Sequence, residues 1–278
     1  MMAFRSRAAA MLAAVTVLAA GCAARGPASS TVSAAFAGKP YVLLGEVHDN
    51  AAGQQQRLDA LTRAVEQGWR PAIAMEQFDR ERQADIDRAR RERPRDAGHL
   101  IAQAGGAAWQ WPLYRPVVAL ALQYDLPLVA ANLSRADAGK IVRGGLDALF
   151  SADERHRLGL TGALPPDLVA AQTAVLDRGH CGNFPKAMLP GMLAAQAARD
   201  AVMAQVLRPY AARGAVLIAG NGHVRRDVGV PRWLPDEAGK VISVGYVESA
   251  PTGGEFDMAV VVPAVERNDP CLQAKPAG

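Results

Sequence analysis

Four short apolar runs constrain this chain most: YVLL at 41–44, PAIAM at 71–75, PLVAAN at 127–132 and AVLIAG at 215–220. Each has strand length and little polar alternation, and helix-length stretches separate one from the next. A strand that is apolar throughout is buried on both faces, which calls for a mainly parallel sheet with helices on both sides. Helices are expected over 54–67, 79–95, 117–124 and 188–212, with helical insertions across 135–190. Near the end, VISVGYVE and FDMAVVV flank the turn-rich SAPTGGE and predict a C-terminal antiparallel hairpin at a sheet edge. With 278 residues and 50% hydrophobic content, a single α/β domain over 39–278 is expected.

The start of the chain has its own signal. Arg5 and Arg7 precede the apolar AAAMLAAVTVLAA, which is too short to span a bilayer comfortably and stops at Gly21-Cys22. This reads as a signal peptide over 1–21. LAAGC resembles a bacterial lipobox, which implies lipidation of Cys22, residues 22–38 as a tether, and anchoring in the cell envelope. Ala23 after the cysteine favours the outer membrane, facing the periplasm. Of the three cysteines, Cys181 and Cys271 then remain, in a compartment that permits disulfides, and they are expected to pair. The formal net charge of +4 includes Arg5 and Arg7, so no nucleic-acid partner is indicated. The basic run DRERQADIDRARRERPR alternates with acids at helical spacing, as a solvated helix face does.

The ends of the four runs carry the chemistry. The first is followed by Gly45-Glu46-Val47-His48, the second by Glu76-Gln77-Phe78-Asp79, the third closes on Asn132, and the fourth continues as Gly220-Asn221-Gly222-His223. Ligands of open α/β sheets bind outside the carboxyl ends of the strands, so these groups are expected to share one cleft. His99, His156 and His180 have bland surroundings. GNGH lacks the third glycine of a dinucleotide fingerprint, and the chain has no G-x-S-x-G, Walker, HExxH or CxxC pattern.

GEVH and GNGH, the intervening AMEQF, WPLYRP, ANLSR, HCGNFP and AQAARDAVMA together resemble the ChaN-like haem-binding lipoproteins. These lie within a wider superfamily that includes Tiki-type proteases, TraB-like proteins and erythromycin esterases. The resemblance runs from about Tyr41 to the DPC at 269–271. It implies haem capture for iron uptake in a pocket at a homodimer interface, a tyrosine as iron ligand, and an outer-membrane haem receptor as a further partner. Tyr114, beside Trp109 and Trp111, is the expected ligand, with Arg115 holding a propionate and His48, His223, Glu46, Glu76 and Asn132 around the cofactor. The alternative for the same cleft is a divalent metal such as zinc or manganese on His48, His223 and Glu76, serving a hydrolase. A third possibility is a non-catalytic scaffold. Where family members commonly carry a histidine pair after HDN, this chain has Gly53-Gln54-Gln55-Gln56.

Overall fold

In a computed structural model, residues 29–234, 239–268 and 271 are described. The expected signal peptide, residues 1–21, and Cys22 lie outside them. The four apolar runs become strands β1 (Tyr41–Glu46), β2 (Ala72–Asp79), β3 (Leu128–Asn132) and β4 (Ala215–Gly220), joined by β5 (Val241–Val247) and β6 (Met258–Val261). They form one sheet in the order β3-β2-β4-β1-β5-β6, and every pairing is parallel. β4 enters between β1 and β2, with Glu46 in register with Gly220 and Met75 with Ile218. This insertion brings together strand ends that are far apart in sequence.

Strand alternation divides the core. Val42, Leu44, Ile73, Met75, Val216 and Ile218 face one side, where α2 (Ala51–Glu66) and α5 (Trp111–Gln123) lie; α4 (Ala97–Ala104) packs against α5 in the same layer. Leu43, Ala74, Ala131, Leu217 and Ala219 face the other side and meet Met203, Ala204 and Leu207 of α9 (Leu189–Leu207). Small residues fill that face, so α9 can lie close to the sheet. The expected helical insertions are present as α6 (Arg135–Gly144), α7 (Ala152–Leu158) and α8 (Pro166–Gly179), packed on α9.

Two expectations need correction. The segment 29–38, assigned to a tether, is part of the packed body: α1 (Ser29–Ala34) lies on α2, and Val32 and Phe36 are buried in the core. Two apolar side chains in a small-residue stretch are enough to bring it down onto the sheet layer. The C-terminal hairpin is not antiparallel. After β5 the chain doubles back across the sheet face and starts β6 beside Val244. Gly245 allows this, because a Cβ there would lie 2.8 Å from the Phe256 ring. Asp257 fixes the return, with its N–H bonded to the Ser243 carbonyl and its carboxylate accepting from the Ser243 N–H.

At the opposite edge, the Gln83 side chain of α3 (Gln83–Glu92) donates to the Leu128 carbonyl and accepts from the Ala130 N–H. One amide thus stands where a neighbouring strand would pair, and blunts that edge. Cys181 and Cys271 are bonded to each other, 90 residues apart in sequence.

Candidate functional site

The carboxyl ends of β1, β2 and β4 meet around Gly220. The His48 ring lies over this residue, 3.0 Å from where a Cβ would stand, so a side chain at 220 would displace the imidazole. Two carboxylate–histidine pairs face this point. In the first, Glu46 accepts from His48 Nδ1 at 2.8 Å; in the second, Asp200 of α9 accepts from His223 Nδ1 at 2.6 Å.

Glu46 is the hub. One of its oxygens also takes the Tyr114 hydroxyl at 2.7 Å and the Gln77 amide at 3.1 Å. The other takes the Arg57 guanidinium and the Gln54 amide. Burial pushes this carboxyl up, but the Arg57 charge and the hydrogen bonds outweigh it and hold the group below its ordinary value. Gln54 accepts from Arg57 and also donates to the His48 carbonyl. The residue standing in the family's histidine-pair segment therefore helps hold the hub.

Asp49 and Asn50, the rest of HDN, work locally. Asn50 caps α2 through the Gly53 N–H, and Asp49 pairs in two-pronged fashion with Arg267, which also holds Glu248. These contacts pin the C-terminal segment beside the His48 loop.

On the second pair, Glu76 accepts the Gly220 N–H at 2.7 Å and lies 3.5 Å from His223 Nε2. Burial raises its pKa, yet the His223 charge and these bonds outweigh it and hold it at about 2. Burial lowers that of His223, and the charges of Glu76 and Asp200 overcome this and lift it to about 10. His223 is thus an imidazolium at neutral pH. Its contribution to stability is complete below 6.5 and is lost as pH rises toward 10, whereas that of Glu76 is complete above 4.5 and is lost as pH falls toward 2. Asp200→Asn is expected to destabilise the fold by about 1.5–3 kcal/mol near pH 6. It should also move the His223 titration, followed by imidazole chemical shifts, to lower pH. An unmoved midpoint would mean that Asp200 does not hold the charge.

Several expected site residues take other parts here. Tyr114 is fully buried beneath Trp109 and Trp111, its hydroxyl committed to Glu46. Burial and the Glu46 charge push its pKa far above the ordinary value, the reverse of what a phenolate ligand needs. Arg115 is exposed on α5 with its guanidinium beside Gly98, and no hydrogen bond among the described residues joins it to the cluster. Asn132 sits in a neighbouring network, donating to Asp79 and accepting from Arg199. His48, Glu76 and His223 do converge around Gly220. Among the described residues, however, no group of three or more His, Cys, Asp or Glu is arranged to hold a metal ion; the His223 nitrogens are turned to Asp200 and Glu76.

His48 is the accessible group. Its side chain is 48% exposed, against 12% for His223. The Trp109 ring stands edge-on to it at 5.0 Å between centroids. Burial lowers its pKa, but the Glu46 hydrogen bond and the Glu76 charge win and raise it above the ordinary value.

Arg57, Gln54, Asp200 and Gln196, whose side-chain amide lies against Asp200 and the His223 ring, were not anticipated from the sequence. A signal existed for three of them: Gln54 and Arg57 lie on the same buried face of α2 as Ala60, Leu61 and Ala64, and Asp200 is the lone acid in AQAARDAVMA.

The profile of a family described as haem-binding uptake, Tiki superfamily, ChaN, matches residues 32–234. A solved structure from Campylobacter jejuni, titled for cofacial haem binding to ChaN, is 21% identical, with a TM-score of 0.66 over 80% of this chain and 87% of that one. The type III effector HopBA1 is 12% identical, with a TM-score of 0.50 over 84% of this chain and 93% of that one. Both likenesses concern the fold. A comparison with curated proteins finds no match. On the span of the profile match, the chain belongs to the haem-binding uptake family of the Tiki superfamily, that of ChaN.

Proposed function

We propose that this protein binds haem at the cleft beside Gly220, with His48 as the iron ligand, and serves haem uptake. The observation that carries this reading is the half-exposed His48 imidazole, in a chain whose family is defined by haem binding. Its donor chemistry fits the group: imidazole is an established axial ligand of haem iron. Glu46 holds Nδ1, which fixes the ring orientation and leaves Nε2 to donate, the arrangement in which outer carboxylates orient metal-bound histidines. Trp109 beside it offers an aromatic wall to a porphyrin face. Bound haem would supply a ferric iron able to accept an imidazole nitrogen, which His48 would provide.

The test is a haemin titration of the purified protein, followed by the Soret band and by light scattering. Saturation at a fixed ratio with a shifted Soret maximum is expected, and a dimer at saturation would accord with the expected homodimer. A featureless, non-saturating rise would remove the haem reading.

We further infer a lipid anchor at Cys22 and a place in the cell envelope, facing the periplasm at the outer membrane. The Cys181–Cys271 bond supports this, since such bonds persist in oxidising compartments. Two acyl chains are needed for a stable anchor. Palmitate labelling and membrane fractionation should both be lost in Cys22→Ser; a soluble, unlabelled wild type would refute the anchor. Delivery to an outer-membrane haem receptor belongs to the same proposal.

A further inference from the structure

Apart from the Gly220 cleft and sharing none of its residues, α7, α8 and α9 border a pocket of about 700 Å³. Leu160, Leu168, Leu193, Ala197 and Trp233 line it, together with Arg208 and Arg232. Its volume lies within the roughly 300–1,000 Å³ usual for small-molecule sites. Among the described residues no Asp or Glu lines it, and apart from Thr161 and the two arginines the wall is apolar.

Arg208 adds the second observation. Its guanidinium donates to the carbonyls of Trp233 and Arg157 and to the Gln205 side-chain oxygen. A guanidinium has five N–H donors, so two remain, and no carboxylate among the described residues forms an ion pair with it. Arg232 is paired with Asp167 at 3.0 Å. The cavity thus offers an apolar volume and one guanidinium that no carboxylate among the described residues pairs, a combination complementary to an anionic head on an apolar body.

We propose that this cavity is a second ligand site that takes a single-chain amphiphilic carboxylate of the fatty-acid class, with its head on Arg208. Among the described residues no His, Tyr, Cys or Met lines the cavity, so none of them would ligate an iron porphyrin there. The proposal is independent of the haem reading.

The probe is dodecanoate, added to the purified full chain and followed by calorimetry and by the fluorescence of Trp233, with the methyl ester as comparison. Saturable binding of one dodecanoate per chain is expected, with the ester at least about tenfold weaker, a loss of one charge-assisted contact. Arg208→Gln should weaken the acid to the level of the ester. Ala194→Trp, which fills the cavity from its rim, should abolish binding, and Val169→Trp serves if that variant loses its circular-dichroism signature. Haemin titration should be unchanged in all of them. No saturable binding, equal affinity for acid and ester, or unaltered binding in a folded cavity-filling variant would each overturn the proposal.

Discussion

Replacing Arg57 by leucine is expected to lower the unfolding free energy by about 3–5 kcal/mol at neutral pH, because it strands a buried carboxylate. Glu46 is 3% exposed and Arg57 2%, and among its hydrogen-bond partners in the described residues Arg57 is the one that stays charged at every pH considered, His48 being charged only when protonated. The pH dependence should invert as well. In the native protein the Glu46 pKa lies below 4.5, so its stabilisation is present above that value and is lost as pH falls further. Without Arg57, burial acts with less opposition and lifts the carboxyl above its ordinary value. The variant should then gain stability on acidification while the native protein loses it, and the difference between them should shrink. Urea unfolding at pH 7 and at pH 4 measures both effects. A loss of under about 1 kcal/mol, typical of a surface substitution, would mean that the Arg57–Glu46 pair is not the hub described here.

The layout of the sheet could be read from the chain because buried parallel strands leave continuous apolar runs, and the residues that close them keep their spacing. GEVH and GNGH could be matched in the same way, and the structure sets their histidines on either side of Gly220. Strand pairing at the C-terminal edge was less legible. A turn-rich connection of ten residues suits a hairpin, and the fit of Phe256 over Gly245 together with Asp257 bonded back to Ser243 reverses it. The role of Tyr114 was hidden for a related reason. WPLYRP shows aromatic residues beside a cation, but a side chain's direction depends on where α5 lies, and α5 turns the phenol inward onto Glu46 while Arg115 points outward. Asp200 and Arg57 belong to helices that reach the cleft from opposite sheet faces; Arg57 lies outside every motif, and Asp200 lies in AQAARDAVMA, whose resemblance assigned it no role. What marked them was polarity on an apolar helical face, which is costly unless a partner waits there.

Haem affinity should fall by at least about 100-fold in His48→Ala, since loss of the iron ligand must exceed the roughly 10–100-fold that loss of an orienting partner costs. Glu46→Gln should fall in that lower range, because the amide still bonds the ring without its charge. Tyr114→Phe separates the two possible ligands. It removes a buried hydroxyl that donates to Glu46, which costs about 1–3 kcal/mol of stability, yet leaves the His48 imidazole in place, so the haem spectrum should be unchanged. pH gives an independent check. The Glu46 hydrogen bond and the Glu76 charge hold the His48 pKa above its ordinary value against burial, and only the neutral ring can donate to iron, so affinity should rise with pH through that titration. If instead Tyr114→Phe abolished a ferric phenolate-type band and His48→Ala kept it, α5 would have to unpack to free the phenol. The carboxylate hub would then be a state that the protein leaves on binding haem.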